Sequence, residues 1–236
     1  MTSVLDYADF ARVKARPRWI APLALAALLS GVMPAIHNAV FGPDLIAAAA
    51  VTQLEGDLAH GQHLPPDARE LVRDRIAARP LLASSVLVAV VSALAILLSA
   101  VVLNVATLLV GAEVTPAQIL AVAAVAACAE RLLRVLAFAV VVAILPREQV
   151  VTFDWARVGR SNLAFLGGPG AAAWWTTFVS SVDVITIVGI AVAAAGLRVM
   201  DRRLGAVRAT LAASLWPVAG VAFRVLFAGM VGFPLR

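Results

Sequence analysis

Residues 81–110 read LLASSVLVAVVSALAILLSAVVLNVATLLV, and with Pro80, Gly111 and Ala112 they form 33 consecutive positions without a charged side chain. Roughly 20 apolar residues carry a helix across a hydrocarbon core, so this stretch predicts a membrane-spanning helix with length to spare. The composition points the same way: of 236 residues, 62% are hydrophobic and 14% charged, where an ordinary soluble domain carries about a quarter charged residues. A chain of this length suits one helical bundle and not two domains with separate cores.

Toward the N-terminus, residues 19–41 form a second candidate span, interrupted by Pro22 and Pro34. It is entered from a basic tail, residues 1–18, bearing Arg12, Lys14, Arg16 and Arg18. Val4, Tyr7 and Phe10 share one helix face there, as in a helix lying on a membrane surface. The tail is too long and, with Asp6 and Asp9, too acidic for a signal-peptide leader, and Met33-Pro34-Ala35 is a poor cleavage site. Residues 42–79 read as the one sizeable water-facing segment. Within it Leu64-Pro65-Pro66-Asp67 marks a helix start with Asp67 as N-cap, and Leu71, Val72 and Ile76 fall on one side of the charged helix that follows. His60 and His63 are too few to hold zinc and read as loop histidines.

Toward the C-terminus, Gly111 to Pro116 makes a tight connection into a third span, 116–145. Glu130, Arg131 and Arg134 interrupt it, but cutting the helix there would leave two pieces too short to cross, so one helix with a polar waist is expected. A loop then ends in Gly167-Gly168-Pro169-Gly170, which lacks the Lys-Ser/Thr ending of a phosphate-binding loop. The fourth span, 172–197, opens with Trp174 and Trp175 and carries Asp183 inside; the fifth, about 209–233, carries Arg224. The expected fold is thus all-α: a polytopic transmembrane bundle of five spans forming a single domain over 19–236, with a short surface helix between the first two. Arg16, Arg18, Trp19, Trp174, Trp175, Arg202 and Arg203 fall at span ends, where aromatic and basic residues anchor helices to headgroups.

The residues of chemical interest are the charges inside the spans: Glu130, Arg131, Arg134, Asp183 and Arg224. Each left alone at mid-bilayer costs about 2.5–3.5 kcal/mol on the insertion scale, so pairing is expected. Glu130 precedes Arg134 by four, the favourable order for an intrahelical pair. Asp183 and Arg224 lack such neighbours and need partners on other helices, with each other or Arg131 as the candidates. A register-fixing polar network is the first reading, and a proton or ion path through Glu130 and Asp183 the second. No Gly-x-Ser-x-Gly elbow or His-Glu-x-x-His helix is present, and Ser180-Ser181 near Asp183 has no histidine base nearby, so no enzyme is expected. Cys128, the one cysteine, excludes an intramolecular disulfide, and neither metal nor cofactor is expected. The net charge of +5 sits in short groups beside apolar runs and not on one stripe, which suggests membrane lipids as partners and not nucleic acid; other membrane proteins or a second copy are further candidates. Only Lys14 among 19 basic residues is lysine, which with the abundance of Ala and Val suggests GC-rich bacterial coding; a multi-pass protein of the inner membrane is the expected location.

Phe10-Ala-Arg-Val-Lys-Ala-Arg-Pro-Arg-Trp-Ile-Ala-Pro22, the charged helix Leu64 to Ile76, Asn162-Leu-Ala-Phe-Leu followed by Ser180-Ser-Val-Asp183 and Gly189, and an Arg-rich turn before a Trp-containing last helix all stand in this chain. In these features it resembles the Yip family of five-span membrane proteins in its bacterial form. The resemblance implies a non-enzymatic membrane protein. Eukaryotic members assist vesicle traffic and contact Rab-type GTPases; the role of the bacterial ones is unassigned.

With five spans, the basic side chains outside them divide equally between the two faces. The compact N-terminal tail and the tight 198–208 turn decide for a cytoplasmic N-terminus. Single cysteines at Gln62 and Gly205, on a Cys128→Ser background, are then expected to react differently with an impermeant thiol reagent in intact cells. Gln62 should label and Gly205 should not; the reverse pattern overturns the orientation.

Overall fold

The computed structural model describes residues 18–57, 64–78, 81–144, 172–181 and 183–231. These form seven helices and no strand: α1 Ile20–Asp57, α2 Pro66–Ala77, α3 Leu81–Leu109, α4 Pro116–Ile144, α5 Ala173–Ser181, α6 Val184–Met200 and α7 Ala206–Val231. At 29 residues each, α3 and α4 are about 43 Å long, more than the ~30 Å of a hydrocarbon core. The polar waist of α4 does not interrupt it, as expected from the sequence.

Two boundaries differ from expectation. The first helix does not end at 41. Gly42 adopts φ 72° and ψ 161°, a conformation L side chains rarely accept, and Pro43 has no N–H to give the preceding turn, so the helix breaks there. Beyond the break the alanine-rich run resumes helix as far as Asp57 and buries Ala47. Residues 43–57 are therefore helix, with Leu45 and Ile46 packed beside Phe41 and Phe138. At α2 the N-cap is Pro65, not Asp67. Pro66 occupies the first helical position, and the Pro65 carbonyl accepts from Ala68 and Arg69 at 3.0 and 3.1 Å. Asp67 makes no capping hydrogen bond and lies in the first turn. Glu55 fastens α2 to the end of α1, its Oε1 accepting from Arg69 Nε at 2.9 Å and Nη2 at 2.5 Å.

Residues that meet across helices give their directions. Ala26 of α1 clusters with Ile96 of α3 and Ala124 of α4, while Phe41 meets Phe138 farther along, so α1 runs parallel to α4. The Ser30 and Ser92 hydroxyls hydrogen-bond at 2.9 Å and Gly31 abuts Ser85, which makes α1 antiparallel to α3. The main core joins α3, α4, α6 and α7 around Leu103, Ile119, Val122, Leu197 and Ala209. At one end the two short turns meet. Gly111, at φ 71°, closes α3 with the Ala112 N–H bonded to the Thr107 carbonyl at 2.9 Å. Buried Asp201 of the α6–α7 turn accepts from the Glu113 N–H at 3.0 Å and the Arg203 N–H at 2.9 Å. Consecutive long helices thus reverse direction, with the α3–α4 and α6–α7 turns on one face.

Among the described residues, two helical segments, Ile20–Thr52 and Ala83–Leu109, are long and apolar enough to cross a membrane. Only 22% of the most apolar stretch of α3 is buried in the bundle, and Leu87, Val91, Leu94, Leu98, Val101 and Leu108 point outward. The core helix of a soluble protein is mostly covered; this one leaves a belt of leucine and valine uncovered.

The close approach of α1 and α3 at Gly31 sets a test. A Cβ on Gly31 would stand 2.8 Å from the Ser85 carbonyl oxygen and 3.0 Å from the Ala89 Cβ, with backbone that cannot swing aside. Gly31→Val is expected to cost about 1–3 kcal/mol through overpacking. Gly220→Ala, where nothing lies within 4 Å, should be neutral or stabilising by about 0.5–1 kcal/mol. Thermal unfolding in detergent, followed by circular dichroism, distinguishes the two.

Candidate charged site in the bundle core

Asp183 does not sit inside a continuous fourth span. The helical run is divided into α5 and α6, and Asp183 stands at the division with extended backbone, φ −128° and ψ 127°. The cause is local. Its Oδ1 accepts from the Ile185 N–H at 2.9 Å and its carbonyl accepts from the Ile187 N–H at 3.1 Å, making Asp183 the N-cap of α6. An aspartate within a helix interior competes with the backbone for such bonds, and here that competition ends one helix and starts another.

The second carboxylate oxygen faces α4. Asp183 Oδ2 lies 2.7 Å from Arg134 Nη2, with Asp183 4% and Arg134 23% exposed. Arg134 Nη2 also reaches Thr186 Oγ1, in the first turn of α6, at 3.5 Å. The carboxylate therefore neutralises two positive ends at once, a guanidinium and a helix N-terminus. This revises the expected pairing. Arg134 forms its short ion pair across helices with Asp183; Glu130 and Arg131 are not Asp183's close partners. Arg224 belongs to α7, but its side chain lies outside the described residues, so the expected Asp183–Arg224 contact does too.

Glu130 lies one turn before Arg134 and occupies the space that a side chain on Gly189 would fill. The glycine lets α6 approach α4 while leaving the carboxylate room. Beside it opens a cavity of about 130 Å³, bordered by Ser99 of α3, Ala123, Ala127, Glu130 and Arg131 of α4, Gly189 and Ala193 of α6, and Ala213, Trp216 and Pro217 of α7. That volume admits several waters. Arg131 Nε is buried without a hydrogen-bond partner among the described residues. Pro217 has no N–H, so the Ala213 carbonyl one turn back loses its helical donor, and Ala213 is itself in the cavity wall.

The structure thus brings together Glu130, Arg131, Arg134 and Asp183. The cavity contributions of Ser99, Gly189, Trp216 and Pro217 escaped sequence reasoning; a proline and a glycine within otherwise uninterrupted apolar helices were the available signals. Of the expected anchors, Arg18, Trp174, Arg202 and Arg203 are exposed, and Trp19 and Trp175 are half-buried. Trp175 lies edge-on to Trp174 and stacks on Phe178, with centroids 5.8 Å apart in each case. Arg16 lies outside the described residues. No group of three or more metal-binding side chains occurs among the described residues. No protein-family model matches this chain, and neither curated proteins nor solved structures give a match.

Removing one member of a buried ion pair leaves the other uncompensated, at about 3–5 kcal/mol. Asp183→Asn is therefore expected to destabilise the bundle by about 3 kcal/mol while retaining a weaker cap. Combining it with Arg134→Gln should cost clearly less than the two single changes summed. Strict additivity in a double-mutant cycle of detergent unfolding would remove the pair from the centre of the fold.

Proposed function

We propose that this chain is a five-span protein of the bacterial inner membrane, with its N-terminus in the cytoplasm. It acts as a non-enzymatic scaffolding or membrane-organising component of Yip-like type. The observation that carries this reading is the joint arrangement of outside and inside: uncovered leucines and valines around α3, and charges gathered against one another within the core. Lipid-facing helices require both features, since intramembrane charges are stable when turned inward and paired. The alternating helix directions support five crossings. In that count α5 and α6 together make the fourth, broken where Asp183 supplies the cap, and helix breaks at membrane depth occur where protein buries the freed backbone.

A second reading, a proton- or ion-conducting subunit, is favoured by one feature, the Glu130 carboxylate in the wall of a cavity roomy enough for several waters beside a discontinuous helix. Reconstituted vesicles containing a pH-sensitive dye separate the two. Under the scaffolding reading, wild-type and Glu130→Gln vesicles leak protons equally, and the substitution changes only stability in detergent. Proton movement supported by the wild type and lost in Glu130→Gln would establish the second reading instead.

A further inference from the structure

The described residues at the two ends of the bundle are electrostatically unlike. Because Asp201 ties the α6–α7 turn to the amide of Glu113, and Ala26 is level with Ile96 and Ala124, the start of α1, the α3–α4 turn and the α6–α7 turn share one end. That end displays Arg18, Arg198, Arg202, Arg203 and Arg208, all exposed. Its two described carboxylates do little to offset them. Asp201 is buried and spends its oxygens on backbone N–H groups, and Glu113 stands 3.9 Å from Arg203 with both side chains more than four-fifths in the open. Arg18, Arg198, Arg202 and Arg208 have no carboxylate partner among the described residues. Among the described residues of the opposite end, Arg69, Arg73 and Arg75 are outnumbered by Asp44, Glu55, Asp67, Glu70 and Asp74, and Arg69 is held by Glu55.

We infer that the arginine-bearing rim is a binding surface for the phosphate headgroups of anionic phospholipids. Guanidinium groups suit phosphate oxygens by charge and by their forked donors. A lipid, and not free phosphate or nucleic acid, is the fitting source because the basic rim passes directly into uncovered apolar surface. Ile20 next to Arg18 is 66% exposed, Val207 next to Arg208 is 73% exposed, and Leu109 at the adjoining turn is 78% exposed. One lipid molecule offers both halves of this surface its match, headgroup to arginine and acyl chain to leucine or valine. The inference goes beyond the scaffolding reading and holds whether the bundle organises membrane or conducts protons, since none of these arginines borders the core cavity.

The test uses the purified full chain in a mild detergent, titrated with short-chain phosphatidylglycerol or phosphatidylcholine, with lipid adducts counted by native mass spectrometry. Phosphatidylglycerol is expected to bind at least tenfold more strongly, and inorganic phosphate at equal concentration should not displace it. Arg198→Gln, Arg202→Gln and Arg208→Gln combined should lower its binding by about fivefold for each arginine removed, given what one basic residue contributes near an anionic surface. Arg73→Gln with Arg75→Gln, at the other end, should leave binding unchanged. Equal binding of the two lipids by the wild type overturns the inference without reference to any variant. Displacement by inorganic phosphate, or equal loss in the Arg73/Arg75 variant, overturns it as well.

Discussion

One carboxylate organises the middle of this protein. Asp183 meets the guanidinium of Arg134 with one oxygen and the first turn of α6 with the other, so a single buried charge satisfies two positive groups on different elements. Each contact explains what the other leaves open. Without Arg134 the buried anion would lose its short guanidinium contact, and without the cap the N-terminus of α6 would lose a side-chain acceptor for the Ile185 N–H. The division between α5 and α6 follows from this arrangement, because Asp183 must leave helical geometry to reach both.

Small residues surround that centre. Gly189 allows α6 to lie against Glu130, and the alanines of α4, α6 and α7 line the cavity beside it. Close backbone approach over a small residue and a polar contact join the helices there, and the Gly31 crossing of α1 with α3, joined by the Ser30–Ser92 hydrogen bond, repeats that arrangement at a second place. The bundle thus reads as two close contacts, one apolar with a hydroxyl clasp and one charged, with the cavity beside the charged one.

Much of the fold was legible because its signal is bulk composition: uncharged runs of the length of α3 admit few alternatives, and Pro116 and Gly111 mark their own termini. The polar waist of α4 was legible by length. Partner choice was not. Glu130 and Arg134 stand at ideal spacing for an intrahelical pair, yet a carboxylate contributed by another helix, already held in place by the α6 backbone, takes the short contact. Spacing along one helix carries no information about what a neighbouring helix presents. The division at Asp183 was hidden for a related reason, since flanking Val and Ile continue the apolar pattern across it and only the aspartate's affinity for backbone N–H groups marks the boundary. The expected first span stopped at 41 and the water-facing segment began at 42, but the alanines after Gly42-Pro43 restart a helix that runs to Asp57.

The Arg134–Asp183 pair also has a history in time. Asp183 follows Arg134 by 49 residues, so at translation rates of about 5–20 residues per second the arginine exists for roughly 2–10 s before its final partner is made. During that interval the nearest carboxylate along its own helix is Glu130, one turn back. The residue that in the finished bundle faces a cavity is thus the neighbour that Arg134 has throughout synthesis, and the order of the chain supplies a local counter-charge before the distant one arrives.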